Sequence, residues 1–114
     1  MTPRDEEYLR SILDAIDAIQ RYAEPGEDAF RSERMRQDAI LRNLEVVGEA
    51  VSKLSPGLRA KYPEVPWTQI VGMRNRLIHG YLSIKVELVW DTVTMVMPGF
   101  REQVLKLLRE NPPQ

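Results

Sequence analysis

Apolar residues recur along this chain of 114 residues at the three-and-four spacing of buried helix faces. Leu9, Ile12, Leu13, Ile16 and Ile19 form the first series, with Thr2 placed to cap it and Pro3 at its first position, so a helix is predicted to about Ala23. Pro25-Gly26 ends it, and a short acidic connection containing Phe30 is expected to follow. Met35, Ala39, Ile40, Leu44, Val47, Ala50, Val51 and Leu54 predict a long second helix, closed by Ser55-Pro56-Gly57. From there to Pro66 the periodicity fades, and the stretch reads as an irregular crossing with room for one helical turn.

Val65-Pro66-Trp67 looks like another helix start, and Trp67, Ile70, Val71, Arg74, Leu77 and Ile78 carry it to Gly80, which suits the left-handed position after a helix. Beyond Ser83, a candidate cap, Val86, Val89, Trp90, Val93, Val96 and Met97 make a strongly apolar face. A break is expected at Pro98-Gly99 before Phe100, Val104, Leu105 and Leu108 resume the pattern. The β-branched residues from Val86 to Val96 would also suit a strand, but their spacing is helical and no partner strand is visible. The pattern predicts an all-α fold, an antiparallel bundle of four to five helices in one domain over residues 1–110, with residues 111–114 a frayed tail. Trp90, Val93, Met95, Val96 and Met97 cover more than one side of their helix, which fits a homodimer interface or a fully buried central helix equally well.

Composition narrows the classes of function. With 43% hydrophobic and 29% charged residues the chain has the make-up of a soluble globular domain. No stretch approaches the roughly 18–20 apolar residues that span a bilayer, and Thr2-Pro3-Arg4-Asp5-Glu6-Glu7 is unlike a signal peptide, so a cytoplasmic, membrane-free protein is expected. The chain has no cysteine and one histidine, which excludes disulfides, thiolate sites and a histidine metal cluster within one chain; no metal and no cofactor is expected. A net charge of -1 leaves any nucleic-acid binding to local arginines.

The single histidine, His79, has an ordinary pKa of about 6.5 and is the natural proton carrier near neutrality. A lone histidine is more often structural, but Arg74, Asn75 and Arg76 precede it within six residues, a dense set of donors to anionic oxygens. On a helix Asn75 and His79 share a face, whereas Arg74 and His79 lie about 140° apart. Either Arg74 reaches across, or the helix unwinds at His79 before Gly80 and the imidazole turns toward the guanidinium of its own or a second subunit. RNA supplies its own nucleophile, the 2′-hydroxyl, so its cleavage needs only a base, an acid and positive charge on the phosphorane. His79 would move protons, Arg74 would stabilise charge, and Asn75 would position the scissile group or the imidazole. A symmetric dimer would bring the second imidazole that one chain lacks.

The run Arg74-Asn75-Arg76-Leu77-Ile78-His79-Gly80-Tyr81 resembles the arginine-x4-histidine-x-tyrosine motif of HepT-like toxins in the HEPN superfamily. The resemblance extends to Val47-Gly48-Glu49-Ala50, Pro66-Trp67, Ile70-Val71-Gly72-Met73 and Val89-Trp90. It implies a HEPN-like helical homodimer with the motifs facing each other in a cleft, and metal-independent endoribonuclease activity on mRNA or tRNA. It also implies a partner, an MNT-type nucleotidyltransferase antitoxin that transfers AMP to the motif tyrosine, here Tyr81. Arg74, Asn75 and His79 are then the catalytic candidates and Arg76 an RNA-binding one. By itself Tyr81 reads as an aromatic packed over the helix end with its hydroxyl bonded to backbone. Gly48 is expected to permit close helix contact, Trp67 and Trp90 to anchor the core or dimer seam, and Glu49 to hold Arg74 or Arg76 by an ion pair. Arg34, Arg36 and Arg42 are read as a solvated face before an RNA track. The competing function is a non-catalytic module that binds a nucleotide or recruits a nucleotidyltransferase.

Overall fold

The computed structural model describes residues 1–79 and 86–112, the side chains of residues 78 and 79 excepted. Helix α1 (Pro3–Ala23) begins where the sequence places it: Thr2 Oγ1 accepts the Asp5 backbone N–H at 3.0 Å and Pro3 opens the first turn. Leu9, Ile12, Ile16 and Ile19 point into the core and are fully buried. The short acidic connection expected after Pro25-Gly26 contains a helix, α2 (Glu27–Ser32). Gly26 takes φ 105°, a left-handed conformation that L side chains rarely adopt, and Glu27 and Asp28 follow at the positive end of the helix dipole. One buried residue, Phe30, gives this helix its reason to fold.

Helix α3 (Arg34–Lys53) packs along α1 on one side and α5 (Trp67–His79) on the other, and the last helix lies against α1. The crossing between α3 and α5 contains α4 (Pro56–Lys61), capped by the Ser55 hydroxyl. Ser55 is itself gripped by Asp5, a buried carboxylate: Oδ1 accepts the Ser55 N–H at 2.9 Å and Oδ2 the Ser55 hydroxyl at 2.7 Å. The first turn of α1 and the start of α4 are thereby joined.

The break expected at Pro98-Gly99 does not occur. Helix α6 (Val86–Asp91) runs through a π-helical turn, Thr92–Val96, into α7 (Met97–Glu110), with both Pro98 and Gly99 inside α7. Pro98 stands in the first turn of α7, where a missing N–H costs least, and the wider turn before it carries the Met97 N–H to the Thr92 carbonyl. The Thr92 and Thr94 hydroxyls bond the Leu88 and Trp90 carbonyls at 2.9 Å each. Counted this way, the described residues form four long rods, α1, α3, α5 and α6–α7, with two short helices between them, and they contain no strand.

On the last rod Val93 and Met97 are buried while Leu88 and Met95 face outward, Met95 at 77% exposure. Trp67 belongs to the core: its indole N–H donates to the Tyr62 carbonyl at 3.0 Å and its ring meets Phe100 edge-on at 6.0 Å. Trp90 is half-buried and stacks on Phe30 at 5.3 Å. Asn111, assigned by the sequence to the tail, is buried; its amide N–H groups donate to the Tyr62 hydroxyl and the Leu107 carbonyl, and its carbonyl accepts from Lys61. The expected helix stop at Gly80 and cap at Ser83 lie outside the described residues.

Candidate active site

The site is built on the last two turns of α5. Buried Ile70, Met73 and Leu77 turn one side of this helix to the core. Asn75 and Arg76 fall on the exposed side, with half-buried Arg74 at the boundary. Arg74 faces α3 at Gly48, where the two helices come so close that a Cβ placed on Gly48 would overlap Arg74 Cβ. Only a residue without a side chain fits there. The Arg74 stem therefore lies against α3 at Gly48, and its Nε is buried with no hydrogen-bond partner among the described residues. Leaving a buried donor unmade costs about 1–3 kcal/mol, and Arg59 Nε is buried in the same way.

The other end of the guanidinium is open. Nη1 donates to Oδ1 of the neighbouring Asn75 at 3.2 Å, in an exposed position, and among the described residues neither Arg74 nor Arg76 meets a carboxylate. The ion pair expected from Glu49 is thus absent. Gly48 is the α3 position turned to α5, and Glu49, about 100° further round, is exposed to solvent instead. The arginines of α3 differ from those of α5: Arg34 pairs with Asp38, Arg36 with Glu33, and Arg42 with Glu45 at 4.0 Å. Their charge is largely answered by their own helix, as a solvated face requires.

The backbone of α5 is helical up to His79, and the end of the helix beyond it lies outside the described residues. The positions of Arg74 and His79 consequently diverge by about 140° around one axis. The side chain of His79 and the whole of Tyr81 lie outside the described residues. The sequence offers Arg74, Asn75 and Arg76 as candidates, and the close contact it predicts at Gly48 is present; the Arg74–Asn75 bond and the burial of Nε, which depend on how closely α3 and α5 approach, have no signal in it.

A family model described as "Ribonuclease HepT-like" matches residues 12–107. A Methanocaldococcus jannaschii protein described as "gamma-glutamylcyclotransferase and putative RNase" is 36% identical over 90% of this chain, which spans only 47% of that relative's length. A "putative RNase" of Caldanaerobacter subterraneus subsp. tengcongensis is 34% identical over 96% of both chains. A "probable ribonuclease HepT" of Thermococcus cleftensis is 32% identical over 90% of this chain and 94% of its own. No solved structure matches the chain.

Proposed function

The chain belongs to the ribonuclease HepT-like family, and from that premise we propose that it is a metal-independent endoribonuclease toxin whose active site is shared between two copies of the chain. One observation carries the reading: a guanidinium fixed at its stem against α3, held by Asn75 at its tip, and meeting no carboxylate among the described residues. Such a group is prepared for an anionic oxygen, and a phosphodiester supplies one.

In the proposed reaction His79 removes the proton of the 2′-hydroxyl, the freed oxygen attacks phosphorus, and the bond to the 5′-oxygen breaks, leaving a 2′,3′-cyclic phosphate. The 5′-oxygen takes its proton from His79 of the partner subunit. Arg74 meets the charge that gathers on the phosphorane, Asn75 orients the scissile group, and Arg76 holds a neighbouring phosphate. Two features support the second copy. Arg74 and His79 diverge around their helix, and Leu88 and Met95 present apolar surface on the rod that follows the motif. The cytoplasm is the proposed location, and no described helix is long and apolar enough to cross a membrane.

Regulation follows from the same charge. A nucleotidyltransferase antitoxin moving AMP from ATP to the Tyr81 hydroxyl, with release of pyrophosphate, would set phosphate two residues from His79 and compete with RNA for Arg74. Purified protein is expected to cut single-stranded RNA in EDTA and leave 2′,3′-cyclic ends. Absence of cleavage by the wild-type protein on any RNA would remove the enzymatic reading. Intact mass after co-expression with such a transferase is expected to rise by one adenylyl group, and not in Tyr81→Phe.

A further inference from the structure

Gly48 stands one helix away from the chemistry, yet its geometry is tied to a single side chain. A Cβ there would overlap Arg74 Cβ and would meet Arg74 Cγ at 2.9 Å and Arg74 Cα at 3.4 Å. The obstructing atoms are the root of the arginine, fixed to the α5 backbone, and not its mobile end. Neither helix can yield locally: Val47 on α3 and Met73 on α5, the chain neighbours of the two residues, are buried in the same core. A methyl group would separate the helices at this point by roughly 1 Å.

We propose that Gly48 is a positioning residue for the RNA-cleaving site, setting the depth at which α3 receives Arg74 and so the point at which its guanidinium emerges beside Asn75. The inference rests on the ribonuclease reading above. Three observations meet in it: the forbidden Cβ, the burial of Arg74 Nε, and the bond from Nη1 to Asn75. With Nε buried, the guanidinium presents only its Nη groups to phosphate. Small displacements matter at such a site, since a misplacement of about 1 Å can cost on the order of 10²-fold in rate.

The test uses Gly48→Ala, Arg74→Gly and the double variant. In Gly48→Ala, kcat for RNA cleavage is expected to fall on the order of 10²-fold with a much smaller change in KM. Hydrogen exchange at Arg74 Nε, followed by NMR, is expected to be slow in the wild type and fast in this variant. Wild-type kcat, or unchanged Nε exchange, in a folded Gly48→Ala protein overturns the proposal. If Gly48→Ala fails to fold, the double variant decides: with the arginine root removed it is expected to recover most of the lost Tm, and a double variant that melts as low as Gly48→Ala overturns the contact. Inactive wild-type protein whose Nε exchange still responds to Gly48→Ala defeats the ribonuclease reading and leaves the positioning geometry standing.

Discussion

Arg74 and Asn75, adjacent in the chain, are also bonded through their side chains, Nη1 to Oδ1 at 3.2 Å. The amide answers part of the guanidinium's donor capacity while leaving its charge intact. A carboxylate at the same place would neutralise it. Asn75→Asp is therefore expected to weaken RNA binding more than Asn75→Ala does, by several-fold, the size of an exposed ion pair of about 0.2–1 kcal/mol that phosphate must displace. Titrations at two salt concentrations check this, and equal affinities for the two variants would contradict it.

Proton transfer and charge stabilisation are assigned to different residues, so their loss should look different. His79→Ala is expected to lose on the order of 10²–10⁴-fold in kcat and to flatten the pH profile near neutrality, whereas Arg74→Ala lowers the rate without removing the pH dependence. Both are measured on variants whose melting temperature stays near the wild type. Retained cleavage in both would dissolve the site assignment.

Leu88 and Met95 are exposed apolar residues seven apart on the rod after the motif. Charged replacements, Leu88→Lys with Met95→Lys, are expected to shift the protein from dimer to monomer in sedimentation experiments and to abolish cleavage with the monomer fold intact. A wild-type protein that sediments as a monomer and cleaves at full rate would refute the shared site.

The lower end of the bundle offers a stability prediction independent of function. Asp5→Ala strips two hydrogen bonds from Ser55 and is expected to cost about 1–3 kcal/mol, a Tm loss of several degrees, with activity per folded molecule unchanged. A variant that melts with the wild type would show the contact to be idle.

Nearby Tyr62 responds to alkali. Burial, foremost, and its bond to Glu110 push its phenol above the ordinary tyrosine value, against the Asn111 contact. Because the folded state holds this proton more tightly than the unfolded chain, the stabilisation is complete below about pH 10 and is lost as pH rises through the folded value. Tyr62→Phe is expected to lose about 0.5–1.5 kcal/mol at neutral pH and to show a shallower alkaline decline. Melts across pH 7–11 would expose an unchanged slope.

The long rods were legible because their apolar residues repeat within one helix: Leu9 to Ile19 and Ile40 to Val51 needed no partner to be recognised. Thr2, Pro3 and Ser55 announced their caps for the same local reason. What escaped depended on distant contacts. Phe30 alone gives too little period to reveal α2, and Asp5 looked like one acid among several until Ser55, 50 residues away, turned out to hold it. At the site, the residue types of Arg74, Asn75 and Arg76 were readable, but the missing pair with Glu49 was not, since which α3 position faces α5 is decided by packing.

The π-helical turn has a meaning for chain length. Val89, Val93 and Met97 follow one another at intervals of four, and in a helix of 3.6 residues per turn two such intervals would rotate the next residue away from the core. The wide turn absorbs this excess, and Phe100, Val104 and Leu107 continue inward in phase. The turn therefore holds one surplus residue. A version of this protein shorter by one position between Thr92 and Val96 would close into ordinary α-helix with the same core, so this rod is where the fold tolerates a deletion inside a helix.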